Sequence, residues 1–473
     1  ILVLAVLELV VGLAVGCGPA GTPQQEVRTT SDGATVVTVW QGFNAEETAV
    51  FHEIMRDFEA DYAKRTGKKI KVDVQYVSFN DMFTKLKTAA LARKTPDVAM
   101  MDAIKVTDLA FGRALVPVDD LAPFKERYGT REAARDQFVG ASFDSGVVNR
   151  QGEIKLYGLP VQTTMVALFW NREMFRNKAA ELRAAGLDPN RTPVDWDEFL
   201  AYSKVLTDTE RGIYGTGLSS SLWFQFPFFN MYGADFIAYD DKGRASSVID
   251  SPNMKMALDR LRTLIHSGTE AGAWKRGALG PEQGFINRRY AMVFTGPWNV
   301  QNFTNSGVDF DVSLIPQPTK AEIEQLKLTP IHPDAPEVLG AQAWSSSNVG
   351  GQTGVIFKAS PQPELAFELI DYFTSEPVQR RWASELGQIP VRRAAWENLD
   401  TSKFPFMPKF MKQLLVSKRI PPIPLYGTLE SNVYNPQIDL FLNQRDFTAD
   451  QMIKAMDKVM EDQIVARINE PLS

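Results

Sequence analysis

The chain holds 473 residues, 44% hydrophobic and 23% charged, with a formal net charge of −6. That length exceeds one ordinary core and calls for two or more domains, while the composition is that of an ordinary soluble globular protein. The acidic balance, without any long basic run, argues against a nucleic-acid partner. Aromatic residues reach 11% and include nine tryptophans, so the placement of each tryptophan is worth following.

Residues 1–16 are apolar apart from Glu8, which is the length of a signal h-region and short for a membrane-spanning helix. The run begins with Ile and has no basic n-region, so the start of a signal peptide is expected to be missing. Ala14-Val15-Gly16-Cys17 resembles the lipobox of bacterial lipoproteins, where the cysteine is lipidated and becomes the first mature residue. The alternative is a buried cysteine in an N-terminal helix. Cys17 is the one cysteine, so no internal disulfide can form. Residues 17–34 then read as a Gly/Pro-bearing polar tether with no packing pattern. The expectation is a globular body anchored to the outer face of a membrane, where two acyl chains at ~0.8 kcal/mol per buried CH₂ would hold it stably.

Val36–Trp40 is β-rich, and Val50, Phe51, Ile54, Met55, Phe58 and Tyr62 mark one helical face that Gly67 stops. Ile70, Val72, Val74 and Tyr76 alternate as a strand. Asn80 is placed to cap the next helix, Asp97–Met101 reads as a strand, and Ile104–Phe111 as a helix. This β-α-β-α-β-α order calls for a parallel sheet with crossover helices. In such sheets ligands sit in the loops after the strands. Topology alone therefore makes candidates of Trp40, Phe43, Asn44, Glu46, Phe79, Asp81 and Asp102, each of which could equally be a cap, a turn residue or a core contact.

Tyr157–Phe175 follows, with Gly158 and Pro160 as punctuation, Thr163 and Thr164 as a polar entrance, Met165–Trp170 as a buried strand and Asn171 as a helix cap. Farther on, Asp195 and Glu198 have capping-box spacing, and Trp196 is expected to pack its helix onto a sheet. Residues 222–230 are a dense aromatic cluster, with Trp223 at the mouth of a helix. Ala291–Phe294 reads as a strand turned by Gly296-Pro297-Trp298-Asn299, and Phe310–Ile315 as another. A second crossing is expected near Asn305–Asp311. Gly350–Gly354 enters a strand at Val355–Phe357, helices follow at Glu364–Thr374 and Val378–Glu385, and an amphipathic helix closes the chain at Thr448–Ile468.

Much catalytic chemistry is missing. The three histidines, His52, His266 and His332, do not pair at helical spacing, which argues against a histidine or thiolate metal site. There is no Gly-x-Ser-x-Gly elbow, dinucleotide fingerprint or phosphate loop, so no cofactor is expected. A two-carboxylate hydrolase has no short signature and stays open.

Six stretches in order now carry a resemblance. They are Val39-Trp40 with the Glu46–Phe58 helix, Pro96-Asp97-Val98 with Asp102, and Tyr157-Gly-Leu-Pro160 with Trp170-Asn171. Trp196–Phe199, Ala291–Trp298, and Gly350-Gly351 with Glu364–Thr374 complete them. From about Val36 to Trp396 the chain resembles the extracellular solute-binding proteins, family 1, sugar-binding components of bacterial ATP-driven (ABC) importers, which include the maltodextrin-binding branch.

The resemblance implies an α/β, two-lobed periplasmic-binding-protein-like fold with hinge crossings and a ligand cleft between the lobes. Lobe 1 would take residues 35–162 and 312–375, and lobe 2 residues 163–311 and 376–473. It implies stacking roles for Trp298 and Trp223, a late tryptophan at Trp396, an acid at Asp102, and Thr164 where the maltodextrin branch carries a sugar-contacting acid. Trp344 and the insertion around Lys320–Glu337 depart from the pattern.

A pyranose has an apolar face and a rim of hydroxyls. Trp40, Trp223, Trp298 and Trp344, with Glu46, Asp81, Asp102, Asn299 and Gln352, supply planes and polar partners for both. The function implied is a monomeric, lipid-anchored carbohydrate receptor that serves membrane permease subunits. The alternatives are a binder of a charged solute, with Lys105 and Arg392 as candidate cations, and a surface glycoside hydrolase.

Overall fold

A computed structural model describes residues 25–330 and 342–470; Cys17, the expected lipidation site, lies outside the described residues. The chain opens with β1 (Thr35–Gln41), α1 (Ala45–Thr66), β2 (Ile70–Tyr76), α2 (Phe79–Leu91) and β3 (Val98–Asp102). The hairpin of β4 (Val147–Arg150) and β5 (Glu153–Leu156) follows, then β6 (Gly158–Met165) and β7 (Ala167–Asn171). Next come β8 (Tyr214–Gly217), the hairpin of β9 (Ile237–Tyr239) and β10 (Ala245–Ser247), β11 (Tyr290–Thr295) and β12 (Phe310–Ser313). The last strands are β13 (Asn348–Ile356) and β14 (Lys418–Arg419).

Two sheets carry the molecule. The first runs β14-β13-β3-β1-β2 with β6 also paired to β13, and the second runs β12-β7-β11-β8. β1 pairs in parallel with β2 and β3, as the alternating β and α pattern requires. α1 forms where expected. Asn44 caps it reciprocally with Glu47, its buried face carries Phe51, Ile54, Met55 and Phe58, and Gly67 ends it at φ 71°. α2 starts one residue before Asn80, with Ser78 at the cap position, so Asn80 is helical and does not cap.

Each sheet has its own core. Phe43, Phe51, Phe58, Phe124, Phe367 and Trp382 belong to the first, and Trp196, Phe199, Phe226, Phe229, Leu258 and Met456 to the second. The helix Glu376–Leu386 sends Val378 and Trp382 into the first core. Trp196 packs as expected, fully buried and stacked on Phe228 at 4.9 Å.

The stretch from Gly158 to Asn171 is two strands. β6 belongs to the first sheet and β7 to the second, with only Val166 between them. Thr163 and Thr164, expected as a polar entrance ahead of the buried strand, lie inside β6 itself. The chain is still in the second sheet at β12, which pairs with β7, so the return to the first sheet comes after Ser313 and not at Asn305–Asp311. That return enters β13, whose first residues pair with β14 and whose remainder lies between β3 and β6. β13 begins at Asn348, earlier than the run of bulky residues suggests, because its glycines are inside the strand. At Gly158, on the facing strand, a Cβ would stand 2.3 Å from the Gly354 carbonyl oxygen, so this ladder closes only without side chains there.

Candidate functional site

Alternate residues of a strand share a face. On β13, Ile356 lies in the first core and Gly354 abuts Ile370, so Gln352 continues that face toward the second sheet, up to Gly351, whose φ of 123° ends the regular alternation. Gln352 is 5% exposed, and its Nε2 donates to Gln162 Oε1 at 3.0 Å across the β6–β13 ladder. Gln162 Nε2 donates to Glu47 Oε1 at 3.2 Å and to Gln388 Oε1 at 3.0 Å, and Gln388 Nε2 donates to Glu47 Oε1 at 2.8 Å. Glu47 Oε2 accepts the Asn44 backbone N–H at 2.9 Å. Burial pushes the Glu47 carboxyl above the usual carboxylate range, with the Asn44 N–H and the Gln162 amide pulling it back. One carboxylate and three amides thus meet where α1, β6, β13 and the loop after Leu386 converge.

Aromatic rings of the second lobe stand beside β13. Trp223 stands in the first turn of the helix Leu222–Met231. A Cβ at Gly350 would lie 2.4 Å from Trp223 Cη2, so the indole rests on the bare backbone of β13. Asn348 Nδ2 holds the Trp223 carbonyl at 3.0 Å. Gly350 pairs with Thr164, which puts that partly buried threonine beside the indole. Phe224 follows Trp223, and its ring centroid is 6.4 Å from that of Trp298. Trp298 is 46% exposed, although one edge of its ring lies over Gly296, where a Cβ would come within 2.0 Å. The Gly-Pro turn after β11 therefore presents an indole to solvent.

Four expected residues are placed elsewhere. Phe43 is 1% exposed and packs against Phe51, Phe373 and Trp382, so it is core rather than a ligand wall. Trp344 donates Nε1 to Leu328 O at 3.1 Å and packs with Ala343 and Val416, away from the cluster. Trp396 donates Nε1 to Pro390 O at 2.8 Å and packs on the cluster that contains Ile389 and Met407. Thr163 is turned from the cleft, buried and bonded to Ser142 Oγ at 2.6 Å.

The rest are spread along the ends of the first-sheet strands and behind Trp298. Trp40 is partly buried against the layer containing Met82 and Met101, with Nε1 donating to Gln75 Oε1 at 3.0 Å. Asn44 is committed as the α1 cap, Glu46 and Asp81 are exposed in first turns, and Phe79 is 45% exposed. Asp102 pairs with Gln352 in the ladder, and its Oδ1 accepts the Ile104 N–H at 3.1 Å. Burial raises its carboxyl to about 6, against the opposing pull of that N–H and of Lys105. Asn299 is buried behind Trp298, bonded to Thr295 Oγ1 at 2.8 Å. Arg392 is taken up by the first core, donating to Thr374 O, Gln137 Oε1 and Tyr128 OH.

Sequence reasoning missed Glu47, Gln162, Gln388 and Phe224. A signal existed for Glu47, since it lies four residues before Phe51 on the inward face of α1, where an acid needs partners. Gln388 has no local signature, because its partners are more than 200 positions away. Among the described residues, no group of three or more His, Cys, Asp or Glu is placed to hold a metal ion, and no helix is long and apolar enough to cross a membrane.

The fold has known counterparts. The family model of the bacterial extracellular solute-binding proteins matches residues 44–380. The galactooligosaccharide-binding protein of Bacillus subtilis is 22% identical over 382 residues, covering 79% of this chain and 76% of that protein. The sugar-binding protein MalE of Xanthomonas citri superposes with a TM-score of 0.71 at 20% identity, covering 92% of this chain and 98% of its own. The cyclic α-maltosyl-1,6-maltose binding protein of Arthrobacter globiformis gives 0.70 at 20% identity, covering 91% and 100%. These structural likenesses carry the two-lobed fold. The chain belongs to the bacterial extracellular solute-binding protein family, whose members are binding proteins outside the cytoplasm and not enzymes.

Proposed function

We propose that this protein captures a neutral saccharide in the cleft between its lobes and delivers it to an ABC importer. The observation that carries the reading is the Trp223 indole resting on Gly350 of β13, two residues before Gln352 and its chain of amides to Glu47, with Phe224 and the exposed Trp298 as further aromatic planes of the second lobe. Aromatic planes take the apolar face of a sugar ring, and convergent amides take its hydroxyls. The relatives named for galactooligosaccharide and maltosyl ligands support this class. A charged solute is disfavoured by Arg392, whose guanidinium is already bonded within the first core.

The lobes proposed are 35–162 with 312–375, and 163–311 with 376–473, amended so that the first keeps all of β6, resumes only at β13, and takes Glu376–Leu386 as well. The Trp382 contacts support the last of these amendments. Lipidation at Cys17, a monomeric state and contact with permease subunits complete the proposal.

Calorimetric titration with maltotriose and galactotriose tests the function. Heat of binding to at least one, without accumulation of reducing ends on incubation, is expected. Absence of binding to both would overturn the saccharide reading.

A further inference from the structure

The hydrogen bonds of the cleft floor have a direction. Glu47 accepts from Gln162 and Gln388, so both amides turn their N–H groups toward it. Gln162 must then offer its oxygen to the other side, where Gln352 donates to it. This leaves Gln352 Oε1 at the head of the chain, and it is buried with no partner. Flipping the Gln352 amide would set oxygen against oxygen, and flipping Gln162 would set oxygen against the Glu47 carboxylate. The carboxylate thus fixes the sense of every bond in the chain. Gln352 pairs with Gln162 and Gly350 with Thr164, and those two partners share one face of β6, which brings the Trp223 indole resting on Gly350 next to the end of the chain.

We propose that Glu47 is the positioning residue of a hydroxyl-reading subsite, in which the chain through Gln162 holds Gln352 Oε1 as an acceptor for one hydroxyl of a saccharide ring seated on Trp223. The inference rests on the saccharide reading and deepens it. A subsite whose open position is an acceptor selects a donor. A ligand carboxylate or phosphate there would meet an oxygen, with the Glu47 charge one amide farther on. An unmet buried acceptor is also the kind of group that enforces discrimination, because a ligand without the matching donor leaves it unmet.

The test uses the full chain and whichever of maltotriose or galactotriose the wild type binds, together with the analogues in which single hydroxyls are replaced by fluorine, removing the donor. In the wild type, one position is expected to lose at least tenfold in affinity on fluorination. In Gln352→Leu the penalty at that same position is expected to fall below twofold, and in Glu47→Gln, whose amide lets the chain reverse, to fall in the same way. A merely structural role would weaken all analogues alike and leave the pattern of penalties unchanged. Penalties identical in the wild type and Gln352→Leu would overturn the inference while leaving the saccharide reading standing. Failure of the wild type to bind either sugar would overturn both. Should Glu47→Gln fail to fold, Gln162→Leu breaks the same chain one link later and carries the same expectation.

Discussion

Replacing Trp298 by alanine separates a binding tryptophan from a structural one. The side chain is 46% exposed, with the remainder against Gly296 and Phe224. Taking an indole at roughly 250 Å², the open part is about 115 Å². A sugar ring covering half of that removes about 55 Å² of apolar surface from water, worth ~1.4 kcal/mol at ~25 cal/mol per Å², or about tenfold in Kd. The free protein loses little, because the exposed half of the ring is already in water. Its melting temperature should move by no more than about 3 °C. Trp196→Ala is the control. That ring is fully buried against Phe199, Phe228 and Phe294, so its loss should cost ~3–5 kcal/mol and lower Tm by about 6 °C or more. The assay is calorimetry with the bound trisaccharide beside a thermal melt. Wild-type affinity in Trp298→Ala would refute the assignment of the exposed indole as a stacking surface.

Gly350→Ala should push the Trp223 indole off β13, since the new methyl would lie 2.4 Å from Cη2; saccharide affinity is expected to fall at least tenfold, with a changed tryptophan emission in the free protein. Trp344→Ala should lower the urea midpoint yet leave affinity within twofold, because its bond to Leu328 O and its packing on Val416 lie away from the cluster. Glu270 governs a pH effect. Burial raises its carboxyl from 4.5 to about 7, although the Leu218, Gly272 and Ala273 backbone N–H groups favour the ionised form. The fold thus prefers the protonated acid, so this contribution is fully present below about pH 4.5 and is lost as pH rises through about 7. Its upper bound is ~3 kcal/mol. Urea unfolding at pH 5 and pH 8 should show a larger fall for the wild type than for Glu270→Gln, and equal falls would refute the assignment.

What the sequence reveals depends on whether a position answers to its neighbours in the chain or to distant ones. The opening α/β units were legible because Ile70, Val72 and Val74 alternate and the α1 face repeats at helical spacing, and both patterns are local. β13 was hidden. Glycine is a poor strand former, and Gly350, Gly351 and Gly354 are there because an indole, the Gln162 carbonyl, and the Ile370 and Val161 side chains respectively crowd the space a side chain would take. The same division holds in the site. Trp298 and Trp223, which the resemblance offers as stacking residues, do sit at a Gly-Pro turn and a helix mouth. Trp344 and Trp396 looked alike by composition but are satisfied by carbonyls that only the folded chain brings near. The amides of Gln162, Gln352 and Gln388 have no spacing that marks them, since their partners come from four separate segments.

That glycine-bearing stretch would make the proposed site and the proposed hinge the same set of atoms. β6 and β13 are the strands by which the chain leaves and re-enters the first sheet, and they meet at the Thr164–Gly350 pair. The second core grips β13 just before that pair: Asn230 Nδ2 holds Ser347 O at 3.1 Å, and Ser347 Oγ donates to Val166 O at 2.6 Å. Past it, Gln352 is bonded into the first lobe through Gln162 and Glu47. Gly350 and Gly351, the latter at φ 123°, lie between the two anchorages, where the backbone has the most freedom to turn. A rotation of one lobe against the other therefore changes the distance between Trp223, which travels with Asn348, and Gln352, which travels with Glu47. A sugar ring that touches both is held only at one hinge angle. Substitutions at Gly350 or Gly351 should consequently alter affinity and lobe opening together.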